Sequence, residues 1–329
     1  MKIGVIGAGS WGLALAGLLI DNGHAVKVWS RNSDETTEIN EKHELKRYLP
    51  GVIFSEELRA YTDMAEVVKD SEVIVLAVPS VAVRECAKKL KLYLTTQIVV
   101  NVAKGIEAGS LKRLSEVIRE EIGSKNEIAV LSGPSHAEEV AKRMPTVVAV
   151  AAEKEEVRDK ISDIFMNQYF RVYPNSDMLG VEIGGAVKNV IALCAGASDG
   201  LGFGDNTKAG LITRGLAEIL RLGLAMGGKP ETFYGLTGIG DLVVTCASRH
   251  SRNHKAGELI GKGYSLEDAL KEVNMVVEGV NAAKSIRELG KRYHVELPIT
   301  EQACNVLFEG KDPKTAVLEL MGRSKKKEV

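Results

Sequence analysis

Cysteine is scarce in this sequence, and the few cysteines present are widely spaced. The 329 residues include Cys86, Cys194, Cys246 and Cys304, without a C-x-x-C pair or an interleaved pair of histidines. This spacing excludes the usual zinc-binding and disulfide-framework patterns. We therefore predict no metal site and a reducing compartment.

The sequence also lacks an excess of either charge and a clean membrane span. Its 43 basic residues balance 44 acidic ones, which argues against nucleic acid or an anionic membrane as a partner. The apolar stretch near 183–197 contains Lys188 and follows Glu182, which argues against a transmembrane helix. Glycines from Gly7 onward interrupt the N-terminal apolar stretch, unlike a signal peptide. We predict a soluble, cytoplasmic protein.

A glycine-rich turn between a strand and a helix is the most informative feature present. The apolar run 1–6 leads into Gly7-Ala8-Gly9-Ser10-Trp11-Gly12, and an apolar helical stretch follows at 13–20. Together they make the fingerprint of a dinucleotide-binding βαβ unit. Gly7 permits the tight turn, Gly9 lets the backbone approach a pyrophosphate, and Gly12 lets the helix pack on the sheet. The pyrophosphate would lie at the helix N-terminus, which favours negative charge.

The chain divides into two halves with different patterns. Up to about residue 175, short apolar runs alternate with helical stretches, which predicts an α/β, Rossmann-like doubly wound sheet of parallel strands. After Pro174 the pattern is helical only. We predict a dinucleotide-binding domain at 1–178, an all-helical substrate-binding and catalytic domain at 179–329, and a solvated end at 324–329. The predicted strands are 2–6, 25–29, 58–61, 73–78, 97–102, 128–131, 146–151 and 169–172.

Two predicted strand ends carry unusual turn residues. They are Val-Pro-Ser at 78–80 and Ser-Gly-Pro-Ser at 132–135. Because ligands bind at the carboxyl ends of the strands in such sheets, these tips are candidate walls of a site. Ordinary turns are the alternative interpretation.

The end of the second strand bears on the choice of cofactor. NAD-binding versions of this unit place an acidic residue there, which accepts a hydrogen bond from the ribose 2′-hydroxyl. Here the second strand ends in Ser30-Arg31-Asn32. Asp21 lies before this strand, at the end of the preceding helix, and Asp34 lies too far beyond its end. We therefore expect no carboxylate at the tip. Arg31 can bind a 2′-phosphate, although a plain surface arginine is the alternative. We predict a preference for NADPH, with NADH possible.

Three features of the helical half point to chemistry. Lys188 lies in an otherwise apolar helix. A buried ammonium there needs a hydrogen-bonding partner or a catalytic role. The alternative is that the Lys188 side chain extends to solvent. Asp241 follows a glycine-rich turn and is either a site residue or a helix N-cap. Ser251-Arg252-Asn253 precedes a helix and makes a plausible phosphate receptor.

The order of these motifs resembles that of the bacterial-type NAD(P)-dependent glycerol-3-phosphate dehydrogenases, from one end of the chain to the other. The resemblance implies reversible reduction of dihydroxyacetone phosphate to sn-glycerol 3-phosphate, which supplies phospholipid synthesis. The motifs that carry it are 7–12, 30–32, 103–107 (Ala-Lys-Gly-Ile-Glu), 131–137 (Leu-Ser-Gly-Pro-Ser-His-Ala), 185–189 (Gly-Ala-Val-Lys-Asn), 235–242 (Gly-Leu-Thr-Gly-Ile-Gly-Asp-Leu), 251–253 and 277–279 (Val-Glu-Gly).

The resemblance also implies roles for individual residues. Lys188 is the implied proton-transfer residue, with Lys104 and Asp241 as its catalytic partners. Besides the glycine motif, the implied cofactor-binding residues are Ser10, Trp11, Arg31, Tyr48, Lys104, Ala137, Arg252, Val276 and Glu278. The implied substrate-binding residues are Lys104, Gly133, Ser135, Lys188, Asp241, Ser251, Arg252 and Asn253.

This chemistry agrees with the residue types. Negative charge develops on the ketone oxygen during reduction, and the Lys188 ammonium can stabilise it and donate the proton, with Lys104 adding a second cation. Lys104 would lower the pKa of Lys188 and Asp241 would raise it, and the sequence leaves open which is larger. For this chemistry Lys188 and Arg252 must face the same cleft.

Two other functions stay open from the residues alone. One is a related two-domain reductase, such as a 6-phosphogluconate or β-hydroxyacid dehydrogenase, against which the 251–253 receptor argues. The other is a regulatory module that binds NADPH without catalysis, which leaves Lys104, Lys188 and Asp241 unexplained. We expect a homodimer as the assembly.

Overall fold

Eight strands form one sheet in the computed structural model, which describes residues 1–325 and 327. They are β1 (Lys2–Ile6), β2 (Ala25–Trp29), β3 (Arg59–Tyr61), β4 (Val73–Leu76), β5 (Ile98–Asn101), β6 (Ile128–Ser132), β7 (Thr146–Ala152) and β8 (Phe170–Asn175). The spatial order is β3-β2-β1-β4-β5-β6-β7-β8. The predicted doubly wound, Rossmann-like sheet is confirmed, and its strand order reverses between β1 and β4. The predicted solvated end extends to residues 326, 328 and 329, which lie outside the described ones.

Burial on both faces explains the unbroken apolar strands. All four residues of β4 are buried, and Val75 pairs in parallel register with Val5 on one side and Val100 on the other. The helices that cover the sheet are α1 (Ser10–Asp21), α2 (Ser33–Lys42), α3 (Met64–Val68), α4 (Val83–Leu90), α5 (Leu114–Ile122), α6 (Ala137–Val140) and α7 (Glu155–Phe165).

One strand pair departs from the parallel pairing that the sequence predicts. Strand β7 runs antiparallel to β6, with Ser132 opposite Ala149 and Ala129 opposite Ala152. The connection between them contains only the four-residue helix α6, about 6 Å long, which is too short to return the chain along the sheet. A parallel neighbour needs such a crossover, so the chain turns back instead.

The second half of the chain is helical throughout the described residues, as predicted. The long helix α8 lies at its centre, and α9, α12 and α14 pack against it. Its helices are α8 (Met178–Gly200), α9 (Asp205–Ala225), α10 (Pro230–Tyr234), α11 (Asp241–Ala247), α12 (Arg252–Gly261), α13 (Leu266–Val273), α14 (Glu278–Arg292), α15 (Pro298–Phe308) and α16 (Pro313–Met321).

Glycines bring α8 and α12 unusually close together. A Cβ at Gly196 would lie 1.9 Å from the His254 carbonyl oxygen, and one at Gly257 would lie 1.9 Å from that of Leu193. The two backbones therefore touch, and the N-terminal turn of α12 is fixed beside the middle of α8.

Helix α8 is long and apolar enough, by length and composition, to cross a membrane. Its most apolar window has a mean hydropathy of 1.5, yet 83% of that window is buried inside the fold. We therefore interpret α8 as the core helix of the helical half.

Candidate functional site

The carboxyl ends of β1 and β4 open into a cavity of about 770 Å³ that both halves of the chain line. Lys188 and Arg252 both face it, as the sequence-based account requires. Of the predicted site residues, Gly12 and Gly133 are not part of the lining. Those that line it are Gly7, Gly9, Ser10, Trp11, Arg31, Tyr48, Lys104, Ser135, Ala137, Lys188, Asp241, Ser251, Arg252, Asn253, Val276 and Glu278.

The glycine turn forms a cradle with room for a pyrophosphate. Gly7 has a φ of +118°, and a Cβ there would lie 2.6 Å from the Ala77 carbonyl oxygen. A Cβ at Gly12 would lie 2.0 Å from the Gly7 carbonyl oxygen, whereas one at Gly9 would meet nothing within 4 Å. Helix α1 begins there without a side-chain cap, so its first N–H groups face the open space. This donor set fits the phosphates of a dinucleotide.

Exposed cations line the cavity beyond the end of β2. Arg31, Arg47 and Lys89 all lie on its wall. Among the described residues, none of the three has a hydrogen-bonding or salt-bridging partner for its side chain, and Arg47 lies 5.4 Å from the centre of the Tyr48 ring. Such unpaired cations suit a phosphate monoester.

The expectation of no carboxylate at the end of β2 is wrong. Glu35 lies in the first turn of α2, and its side chain turns back to accept a 2.5 Å hydrogen bond from the Ser30 hydroxyl. Burial raises the pKa of Tyr48, and the nearby charge of Glu35 adds to this effect. The tip of β2 therefore carries a carboxylate as well as cations.

The opposite end of the cavity holds a buried cluster of charges. Lys188 on α8 donates 2.6 Å hydrogen bonds to Asp241 Oδ1 and to the Thr245 hydroxyl. Lys104 reaches the other carboxylate oxygen, Asp241 Oδ2, at 2.6 Å and also donates to the Gly133 carbonyl at 2.9 Å. One carboxylate thus holds two ammonium groups from different halves of the chain.

Burial controls the protonation of this cluster. It lowers the pKa of Lys188 to about 8, Asp241 opposes this shift, and Lys104 adds to it. Burial alone would raise the pKa of Asp241, but Lys104 and Lys188 outweigh it and hold that pKa below its usual range. At neutral pH Asp241 is therefore a carboxylate, and Lys188 is an ammonium that releases its proton readily.

The turn after β6 positions Lys104. Gly133 adopts a φ of +143°, where a Cβ would lie 2.9 Å from Val148 Cα. This conformation turns its carbonyl toward the Lys104 ammonium, and the Ser135 hydroxyl donates to the same oxygen at 2.8 Å. Gly185 on α8 leaves space for the Ser132 side chain at the end of β6, because a Cβ there would lie 2.9 Å from Ser132 Oγ.

The start of α12 forms a third part of the site. The Ser251 side chain caps this helix by accepting from the His254 amide at 3.2 Å. Asn253 is buried, donates to Asn189 Oδ1 at 2.9 Å and accepts from the Gly279 amide at 2.8 Å. Arg252 is exposed at the rim. Its guanidinium donates a 3.5 Å hydrogen bond to the Val276 carbonyl. A guanidinium beside a helix N-terminus can also bind a phosphate.

The strand tip at 78–80 contacts the helical half directly. Glu278, at the start of α14, accepts from the Ser80 amide at 3.0 Å and from the Ser80 hydroxyl at 2.5 Å. Gly105 leaves room for this contact, because a Cβ there would lie 2.6 Å from Ser80 Cβ. The tip is therefore both a wall of the cavity and a junction between the two halves.

No role was assigned from the sequence to several residues of the site, among them Arg47, Lys89, Thr245, Asn189 and Glu35. Thr245 lies one turn after Asp241 on α11, a spacing that could have signalled it. Asn189 follows Lys188 in the motif at 185–189, but only the fold brings it to its partner, Asn253. Glu35 was missed because its side chain reaches back from a helix to the strand tip.

Models of one family match nearly the whole chain. The model of the NAD-dependent glycerol-3-phosphate dehydrogenase N-terminus matches residues 2–158, and the model of its C-terminus matches residues 177–318.

Individual proteins show the same similarity. The chain is 54% identical over 331 residues to a Fusobacterium nucleatum protein named glycerol-3-phosphate dehydrogenase (NAD(P)+), covering 100% of this chain and 99% of the relative. A Bacillus subtilis protein of that name is also 54% identical, with 100% and 96% covered. The solved structure of a Coxiella burnetii glycerol-3-phosphate dehydrogenase is 40% identical and matches with a TM-score of 0.94 over 98% of each chain.

Proposed function

The chain belongs to the NAD-dependent glycerol-3-phosphate dehydrogenase family, and on this premise we propose how its residues perform the family's reaction. The reaction is the reversible, NAD(P)-dependent reduction of dihydroxyacetone phosphate to sn-glycerol 3-phosphate, an oxidoreductase activity that supplies phospholipid synthesis. The observation that carries the residue assignment is the buried ammonium of Lys188 facing the same cavity as the glycine cradle.

The cofactor is held by the residues at the carboxyl ends of β1 and β2. The α1 N-terminus, with Ser10 and Trp11, binds the pyrophosphate, and Arg31 and Tyr48 bind the adenosine end. Toward the nicotinamide end, Lys104, Ala137, Arg252, Val276 and Glu278 complete the binding site. When bound, NADPH or NADH supplies a hydride to the carbonyl carbon of the substrate.

Lys188 donates the proton that completes the reduction. Its ammonium is buried, fixed by Asp241 and Thr245, and close enough to neutrality to release a proton to the new alkoxide oxygen. Asp241 keeps Lys188 charged and aimed, because without this carboxylate burial would favour the neutral amine. Lys104 adds a second positive charge, which stabilises the developing oxyanion.

The phosphate of the substrate binds at the start of α12. Arg252 supplies an exposed guanidinium, and Ser251 and Asn253 supply hydrogen bonds at the helix N-terminus. Ser135 lies beside the substrate on the side of the sheet, and Gly133 acts through its carbonyl, which holds Lys104 in place. In this proposal residues 1–178 form the dinucleotide-binding domain and residues 179–329 the substrate-binding and catalytic domain.

Oxidation of NADPH by dihydroxyacetone phosphate in the purified protein tests this function. We expect turnover with dihydroxyacetone phosphate and far less with 2-keto acids or 3-keto acids of similar size. Nucleotide binding without turnover would contradict the function and favour a regulatory module. Turnover confined to keto acids would favour a hydroxyacid dehydrogenase.

We also propose a cytoplasmic homodimer. All four cysteines are unpaired, which agrees with a reducing compartment. The helical half exposes apolar side chains, among them Tyr234, Ile239 and Val243, which a second copy can cover. Light scattering coupled to size exclusion measures the mass, and a monomer would contradict this part of the proposal.

A further inference from the structure

A carboxylate and two guanidinium groups line the cavity near the tip of β2. Glu35 is half-buried and held by the Ser30 hydroxyl, which also accepts from the Asn32 amide at 3.2 Å. Arg31 and Arg47 lie on the same wall of the cavity. An ionised carboxylate accepts hydrogen bonds only, whereas a guanidinium donates only.

The two forms of the cofactor differ in what this site can accept. The ribose 2′-hydroxyl of NADH is a hydrogen-bond donor that an ionised carboxylate binds well. The 2′-phosphate of NADPH carries close to two negative charges, which Glu35 repels and Arg31 and Arg47 attract. The net preference therefore depends on Glu35 as much as on the arginines.

We propose that Glu35 is a specificity-determining residue of this enzyme: it accepts the 2′-hydroxyl of NADH and opposes the 2′-phosphate of NADPH. The inference rests on the proposed function only in requiring that the cavity binds NAD(P). Glu35 lowers the preference for NADPH that Arg31 and Arg47 create, so that both cofactors serve the enzyme.

The Glu35→Gln variant tests the proposal. Glutamine keeps an oxygen that can accept from the Ser30 hydroxyl but loses the charge, so the local geometry is preserved. We expect the ratio of the NADH to the NADPH dissociation constants to rise by about tenfold, through weaker NADH binding and tighter NADPH binding.

Binding of small probes separates this effect from turnover. Calorimetry of the wild type and of Glu35→Gln with adenosine 2′,5′-bisphosphate and with AMP reports the 2′-position without any reaction. We expect the bisphosphate to bind more tightly to the variant and AMP to bind equally or more weakly. A thermal melt checks folding, and Glu35→Ala gives the same test if the glutamine variant is unstable.

Asp34→Asn is the matched control. Asp34 is the exposed neighbour in the same helical turn, and its replacement removes one negative charge without touching Ser30. Equal shifts in Asp34→Asn and Glu35→Gln, or equal weakening of both probes by Glu35→Gln, would overturn the proposal. Absence of turnover with dihydroxyacetone phosphate alongside a shifted probe ratio would instead count against the proposed function alone.

Discussion

The two ends of the cavity use positive charge in opposite ways. At the adenosine end, Arg31, Arg47 and Lys89 are exposed and have no ion pair among the described residues. At the catalytic end, Lys188 and Lys104 share the buried carboxylate of Asp241 at 2.6 Å each.

Solvent explains the difference. An exposed cation stays hydrated until a phosphate arrives, so it needs no internal partner and contributes mainly to affinity and selectivity. A buried cation loses its hydration and stays charged only beside a fixed carboxylate. Burial also moves its pKa toward neutrality, which is what proton transfer requires. Substitutions at the two ends should therefore affect different kinetic parameters.

The largest effect is expected from Lys188→Ala. Because the proton donor is lost, kcat for the reduction should fall by about 100-fold or more, while the NADPH dissociation constant changes little. The fold should survive, since Asp241 keeps its ion pair with Lys104. Steady-state kinetics and a fluorescence titration with NADPH measure both quantities.

The exposed Lys255 on α12 provides a control, and Lys255→Ala should behave as the wild type. If Lys188→Ala kept its kcat, the division of the cavity into an adenosine end that binds and a catalytic end that transfers the proton would be wrong.

The pH profile tests the buried end directly. Lys188 has a pKa of about 8, so its ammonium form dominates below that pH and its amine form above it. The kcat/KM for reduction should fall by about tenfold per unit above pH 8, whereas that for oxidation should rise by about tenfold per unit up to pH 8 and level off above it. In Asp241→Asn both limbs should move to lower pH, because Asp241 raises the pKa of Lys188. An unchanged limb in a folded Asp241→Asn enzyme would contradict this interpretation.

Arg252→Ala should act on substrate affinity rather than on the chemical step. Loss of a charge-assisted phosphate contact should raise KM for dihydroxyacetone phosphate by about tenfold or more. Unphosphorylated dihydroxyacetone should be affected much less, because it lacks the contacted group. An equal rise in KM for the two substrates would show that the substrate phosphate does not bind at Arg252.

A smaller effect is expected from Arg31→Ala at the exposed end. The kcat/KM with NADPH should fall by about fivefold to tenfold, and that with NADH should change little. The NADPH effect should also weaken as salt is added, because exposed charges are screened. Equal losses with both cofactors would show that Arg31 does not bind the 2′-phosphate.

Local features of the sequence predicted most of the nucleotide-binding half. The glycine turn at 7–12 is a local motif in which Gly12 approaches the carbonyl of Gly7, five residues earlier, so its strand and helix follow from the sequence. The direction of β7 does not follow, since a buried apolar strand has the same pattern in either pairing. The short connection through α6 determines the antiparallel direction of β7.

The catalytic end depends on contacts between distant parts of the chain. Lys188 and Asp241 are 53 residues apart, and Lys104 and Asp241 are 137 apart. No local pattern brings them together, so their grouping was predicted from the family resemblance. The position of the Glu35 carboxylate was not predicted for a different reason. Glu35 is near Ser30 in the sequence, but only the path of its side chain places the carboxylate at the strand tip.

Chemical rescue of Lys188→Ala tests the central claim most directly. If Lys188 acts by donating a proton, ethylammonium should restore reduction of dihydroxyacetone phosphate in a saturable manner, and tetramethylammonium, a cation without a proton to give, should not. Equal rescue by both cations would show that Lys188 supplies only charge. Full activity of Lys188→Ala without any amine would contradict the account altogether.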